Sequence, residues 1–178
     1  VVGAGRPGRP GWWGVAGTGR RVRVLHAESH ALRSFLGLER RGLAVAVVRA
    51  EGACLAVGSL HLDLHQAARM HHAAEAMAIM ERVAARHDAA IVLAGDINER
   101  AHQPAWRYLA GRLADCYAVA PKGDGLTFPA DRPSARIDAV FAARGTSVLS
   151  CGGVDAPGAD LAGASDHLPV AAELRLGH

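Results

Sequence analysis

Four short segments put ionisable or polar side chains at the ends of apolar runs. One closes on His61, in Ser59-Leu60-His61-Leu62-Asp63, and another runs from Ile91-Val92-Leu93-Ala94 into Gly95-Asp96-Ile97-Asn98. Asp138 stands in Arg136-Ile137-Asp138-Ala139-Val140-Phe141, and the last segment is Ala164-Ser165-Asp166-His167-Leu168-Pro169-Val170. Residues two apart in an extended chain point the same way, so the Asp96 carboxylate and the Asn98 amide can converge on one ligand. The competing reading is an Asx turn after a strand. Asp138 has apolar neighbours, and burying an unpaired carboxylate costs roughly several kcal/mol. It needs a cationic or donor partner, and a histidine would serve. Asp166 is a hard oxygen ligand of the kind Mg²⁺ takes. His167 beside it titrates near neutrality and can accept a proton from water.

A second constellation, His61, Asp63, His65, His71 and His72, has the look of a zinc site. His61 and His65 straddle a strand end rather than sharing a helix, so their spacing does not set them on one face. His71 and His72 are expected on the exposed side of a helix. A zinc hydrolase using His61, Asp63 and His65 is therefore an alternative, not the first choice. Gly3, Gly5 and Gly8 spell a literal G-x-G-x-x-G. A dinucleotide site needs a strand before that motif and a helix after it. Pro7, Pro10 and Gly11 deny the helix, so the motif is read as a decoy. Cys54, Cys116 and Cys151 are odd in number and lack C-x-x-C spacing, which argues against a disulfide framework or a zinc knuckle.

Around these residues the patterning defines elements. Residues 1–20 alternate glycine with arginine and proline and read as a disordered arm, with the folded domain over 21–178. Arg21–Leu25 alternates as a short strand. Leu43–Val48 and Ala53–Leu60 read as a hairpin. Gln66–His87 carries Met70, Ala73, Met77, Met80 and Ala84 at helical spacing, with Arg69, Glu75, Arg82 and Arg86 largely off that stripe. Ala89–Ala94 is a strand, Pro104–Leu113 a short helix with proline near its first turn, and Asp124–Gly125 a turn. Arg136–Ala142, Ser147–Val154 and Leu168–Leu176 are further strands. Successive strands without intervening helices, plus one long crossover helix, predict a mixed sheet with helices outside it.

The 178 residues suit one domain, and half of them are hydrophobic, enough for a real core. Aromatics are only 4%, so that core is built from Ala, Val, Leu and Ile. The net charge is +3, carried by arginine, with Lys122 the only lysine. Guanidinium forks match phosphate well, although an arginine-rich, alanine-rich chain also follows from a GC-rich genome. No apolar stretch reaches transmembrane length. The chain as given fits a cytoplasmic protein, or a secreted one if a signal precedes residue 1.

Taken together and in order, Ser59-Leu60-His61-Leu62, Gly95-Asp96-Ile97-Asn98, Arg136-Ile137-Asp138 and Ser165-Asp166-His167-Leu168-Pro169-Val170 resemble the endonuclease/exonuclease/phosphatase family. Thr127-Phe128, in Gly125-Leu126-Thr127-Phe128-Pro129, is similar to a family segment before the Arg-Ile-Asp strand. The similarity spans about residues 40–176. It implies an α/β, DNase I-like fold, a four-layer α/β/β/α sandwich with two mixed β-sheets. It also implies Mg²⁺ (or Mn²⁺) and hydrolysis of a phosphate ester. By that resemblance His61 stabilises the scissile phosphate, Asp96 orients or deprotonates water, and Asn98 holds the phosphate. Asp138 pairs with His167, which assists proton transfer, and Asp166 helps to bind metal. The choice of base between Asp96 and His167 stays open. Nucleic acid is favoured over lipid or inositol phosphate as substrate by the positive charge.

The family normally opens with an Asn-bearing strand, a helix, and a strand ending in Gln-Glu whose Glu is a principal metal ligand. No asparagine precedes Asn98, and Glu28, Glu39 and Glu51 are the only glutamates before His61. The expectation is a partial domain whose first strands and helix are missing, inactive if the lost Glu is needed to hold metal. A non-catalytic phosphate or nucleic-acid binder on the same scaffold is the leading alternative.

Overall fold

The computed structural model describes residues 22–50, 52–155 and 163–175, with the short strands at 2–3 and 14–15. Strands β1 (Val2–Gly3) and β2 (Gly14–Val15) pair antiparallel. The rest of the glycine-rich arm lies outside the described residues, as do Gly5 and Gly8 of the decoy motif. The remaining strands are β3 (Val22–Ala31), β4 (Gly42–Ala50), β5 (Ala53–His61), β6 (Ala90–Asp96), β7 (Ala114–Asp115), β8 (Pro121–Lys122), β9 (Asp138–Ala142), β10 (Ser147–Gly152) and β11 (Ala171–Arg175). The helices that pack with these strands are α1 (Gln66–His87), α2 (Pro104–Arg112) and α3 (Cys116–Val119).

Two mixed sheets result. The larger runs β3-β4-β5-β6-β9-β7, antiparallel except for the parallel pair β5–β6, and the smaller runs β11-β10-β8. The parallel pair follows from the crossover: α1 carries the chain back to the start of the sheet, so β6 runs beside β5 in the same direction. Among the described residues, only the β1–β2 pair stands ahead of β3.

β4 is buried on both faces through Leu43–Val47, as expected of an apolar run inside a covered sheet. Leu43, Val45 and Val47 pack in one core with Met77, Met80 and Val83 of α1 and with Trp106 and Leu109 of α2. α1 ends at Asp88, whose left-handed conformation returns its N–H to Ala84, and Arg86 and His87 place positive charge at that end. The methionine stripe is core packing, with Met77 and Met80 fully buried. Behind the larger sheet, Val140 and Ala142 of β9 meet Cys151, Val148, Val170, Ala172 and Leu174, which joins the two sheets. The three cysteines are free thiols.

Several expectations need correction. β3 reaches Ala31, well past Leu25, because it pairs with β4 along its whole length. Its second half, His26-Ala27-Glu28-Ser29-His30, hides the alternation by filling the inward positions with polar groups. His72 does not face solvent: it is 1% exposed and its Nε2 donates to the carbonyl of Arg33 at 2.8 Å. Arg69, expected off the buried stripe, is 5% exposed and buried with it. The last strand starts at Ala171 rather than Leu168, since Pro169 has no N–H to give to a ladder.

Candidate active site

Three of the sequence-selected side chains form a single row across the larger sheet. His61 ends β5 and is paired in register with Asp96, which ends β6, and Asp96 is paired with Asp138, which begins β9. Directly opposed residues share a face, and the row lies at the carboxyl ends of the parallel strands, where α/β sheets bind ligands. Gly95 permits the junction. Its φ is +144°, and a Cβ there would collide with the carbonyl oxygen of Leu60.

His167 closes the site from the smaller sheet. It precedes β11, and its Nδ1 donates to Asp138 Oδ2 at 2.8 Å, while its Nε2 lies 3.9 Å from Asp96 Oδ2. On the other side His61 Nε2 is 3.3 Å from the same Asp96 oxygen. Asp96 therefore sits between two imidazoles. Thr127 aligns these parts: its hydroxyl accepts from the N–H groups of Ile137 and Asp138, and its carbonyl accepts from Leu168 N. The Phe128 ring lies against His167 at 4.8 Å between centroids.

Asn98 takes a left-handed conformation, φ +54°, which asparagine tolerates. Its N–H donates to Asp96 Oδ1 at 2.8 Å, the Asx turn that competed with a ligand role, and its Nδ2 donates to the carbonyl of Leu62 at 2.9 Å. The amide thus cross-links the ends of β5 and β6. Asp166, next to His167, is exposed, and its carbonyl accepts from Ala130 N.

Burial, then the charge of Asp138, pushes the Asp96 carboxyl up to about 6, against the N–H of Asn98. Burial, then the Arg41 guanidinium and His167, pushes His61 down to about 4. For His167, burial opposes the cation, but the hydrogen bond and charge of Asp138, with Asp96 and Asp166, outweigh it and hold the imidazole above its ordinary value. Arg41 was not selected from the sequence. It follows Arg40 just before β4, where a pair of arginines reads as surface charge. Its side chain is 7% exposed, 3.8 Å from Asp63 and 3.1 Å from Glu39.

Among the described residues, one group of acidic and histidine ligands converges, Asp96, Asp138 and His167, with ligand atoms all within 4.8 Å of one another. Two adjacent carboxylates, one held well above its usual range, have the chemistry of a divalent-cation site. Asp166 is outside that group. His61, Asp63 and His65 do not converge: Asp63 turns one oxygen to the N–H of His65 and the other toward Arg41. The zinc constellation is thus a turn and an ion pair, not a ligand set. An open cleft of about 500 Å³ runs from Asp96, Asp138 and His167 between the sheets, past Val92, Val140 and Leu174.

No family model matches the sequence, and no curated protein matches it. Solved structures do match in three dimensions. The mannosyl-6-phosphatase Bt3783 of Bacteroides thetaiotaomicron superposes with a TM-score of 0.75 at 18% identity, over 88% of this chain and 68% of that one. An endonuclease/exonuclease/phosphatase family protein from the same organism gives 0.73 at 17% identity, over 86% and 64%. The fold is that of the endonuclease/exonuclease/phosphatase proteins. TDP2 of D. rerio, solved with a single-strand DNA product, shares this fold with a TM-score of 0.64 at 18% identity, over 88% and 69%. The chain spans about two thirds of each of these structures. The two mixed sheets agree with the architecture that the sequence resemblance implies. No described helix is long and apolar enough to cross a membrane.

Proposed function

We propose that this chain binds a phosphate ester in the cleft between its sheets and hydrolyses it with the help of Mg²⁺ or Mn²⁺. The observation that carries the reading is the row His61–Asp96–Asp138, closed by His167 through its bond to Asp138. Hydrolysis of a phosphate ester needs an activated water, neutralised phosphoryl charge and a proton for the leaving group. Asp96 and Asp138 are suited to hold the cation, with Asp166, next to His167, as a third carboxylate. A bound metal would supply neutralisation of the phosphoryl charge.

The protein's own groups divide the remaining work. Asp96 Oδ2, 3.3 Å from His61 Nε2 and 3.9 Å from His167 Nε2, is placed to orient or deprotonate the attacking water. His61 stays neutral and presents an N–H to a phosphoryl oxygen without the penalty of a buried cation. His167, oriented by its bond to Asp138 and with its pKa raised by that carboxylate, is poised to stabilise negative charge or deliver a proton. Asn98 keeps one amide hydrogen beyond its bond to Leu62 for the phosphate. Arg40, Arg100 and Arg132 are exposed on the loops at this end of the sheet, with Glu39 and Asp131 exposed beside two of them, and the net charge of +3 leans slightly toward a nucleic-acid phosphodiester over a lipid or inositol phosphate.

The test is turnover of bis(p-nitrophenyl) phosphate, a sugar phosphate and single-stranded DNA, with Mg²⁺, Mn²⁺ or EDTA. Metal-dependent cleavage that is lost in Asp96→Ala is the expected result. DNA binding by wild type and Asp96→Ala alike, without cleavage by either, would identify a non-catalytic binder.

A further inference from the structure

A buried ion pair lies outside the cleft lining. Arg69, in the first turn of α1, is 5% exposed, and Glu99, the residue after Asn98, is 1% exposed. Arg69 Nε lies 2.8 Å from Glu99 Oε1, an ion-pair contact rather than an aligned hydrogen bond. The Arg69 Nη1 group donates to the carbonyls of Asp63 at 2.8 Å and Leu64 at 3.0 Å. Glu99 Oε2 accepts from the N–H groups of Ala105 at 2.7 Å and Trp106 at 3.1 Å, at the start of α2. Those N–H groups have no partner inside the helix, and the start of a helix favours negative charge. Gln103, at the N-cap position, makes no capping bond there and turns to Arg100 N instead.

Such a pair is a poor way to gain stability, because desolvating both charges offsets most of their attraction. Its geometry is informative instead. Asp63 and Leu64 follow His61, and Glu99 follows Asn98. One guanidinium therefore links the loop that leaves β5 to the loop that leaves β6. Asn98 Nδ2 makes a second side-chain cross-link between the same loops, beside the backbone bond from Leu62 N to Asp96 O at 2.9 Å that continues the β5–β6 ladder. The ladder sets the register of His61 and Asp96, and the side-chain links fix how the two loops beyond it lie against each other. We infer that Arg69 and Glu99 are a positioning pair that holds the loop after His61 against the loop carrying Asn98. Neither side chain lines the cleft, so both act through the loops they join. The inference rests on the phosphoesterase reading for its effect on turnover, but not for its effect on the loops.

The variant Arg69→Met/Glu99→Gln tests it. Glutamine still accepts from the α2 amides, and methionine fills the arginine's volume without a charge, so no unpaired buried ion remains. A folded protein is expected in which amides of residues 62–65 and 98–100 exchange at least ten-fold faster while those of β4 are unchanged. The kcat should fall ten-fold or more with KM altered less than three-fold, and Asn98→Ala added to this variant should cost much less than it does alone. Unchanged loop exchange, or exchange raised everywhere in proportion to lost stability, overturns the proposal. Wild-type protein without phosphate-ester turnover would remove the functional reading alone, and the exchange comparison would still decide the brace.

Discussion

Asp96 and Asp138 face each other directly across the β6–β9 ladder, so two carboxylates occupy one pair position. Like charges so placed repel, and His167 satisfies only the Asp138 member at hydrogen-bond distance. A bound divalent cation would relieve what remains. In metal-free protein, adding Mg²⁺ or Mn²⁺ should therefore raise Tm in a saturable way, by about 2.7 kcal/mol of stability at a hundred times Kd. Asp96→Asn should remove most of that response. Thermal denaturation with EDTA as control checks it, and an equal rise in both proteins would show that the cation binds elsewhere.

Asp138 does two things at once, and Asp138→Asn separates them. The substitution removes the second-largest cause of the raised Asp96 pKa, so that carboxyl should titrate below about 6. It also takes from His167 the carboxylate that favours the imidazolium. Losing an oriented acid–base partner typically lowers kcat by about 10²–10⁴. A pH–rate profile and carboxyl NMR titration on the metal-free protein would show whether both changes occur together.

The pH dependence of stability carries opposite contributions from two touching side chains. Asp96 is raised to about 6, so between its unfolded value and 6 the folded state holds the extra proton, and stability falls as pH rises. His61 is lowered to about 4, so from 4 up to its ordinary value the unfolded state holds the extra proton, and stability rises with pH. Each contribution is on the order of 1–3 kcal/mol. Across pH 4–6 they oppose each other in metal-free wild type. Asp96→Asn should expose the rising limb and His61→Gln the falling one. Urea midpoints at several pH values measure this, and two variants with the same slope would contradict the assignment.

Much of this arrangement is legible in sequence because strand ends are punctuated by it. The apolar run into Gly95-Asp96 and the odd Asp138 place carboxylates where a sheet stops, and the helix over Gln66–His87 fixes how β5 and β6 must run. The hidden parts have a common cause. The second half of β3 lacks a readable alternation because His26 and His30 share the Glu28 carboxylate on its inner face, where apolar residues would have announced it. Arg69 and His72 break the buried stripe of α1 with groups whose partners, Glu99 and the Arg33 carbonyl, lie far along the chain. A polar residue reads as exposed until its partner is known, and periodicity carries no information about partners at that separation.

Arg41 is the sharpest case of that blindness, and its removal gives a specific result. The guanidinium is buried, its Nε has no hydrogen-bond partner, and Asp63 is 3.8 Å away. After burial it is the strongest influence depressing His61, and it also holds Asp96 down. Arg41→Met should let the His61 pKa climb from about 4 and the Asp96 pKa climb from about 6. It also leaves the buried Asp63 carboxylate without its cation, which costs up to roughly 3–5 kcal/mol. Arg41→Met/Asp63→Asn should recover most of the stability, because no unpaired charge is left behind, while His61 stays shifted. Arg40→Met, at the exposed neighbour, should change neither quantity. Urea denaturation and histidine NMR titration read the two effects separately. A cost in Arg41→Met no larger than that in Arg40→Met would show that the buried guanidinium does not couple to the site.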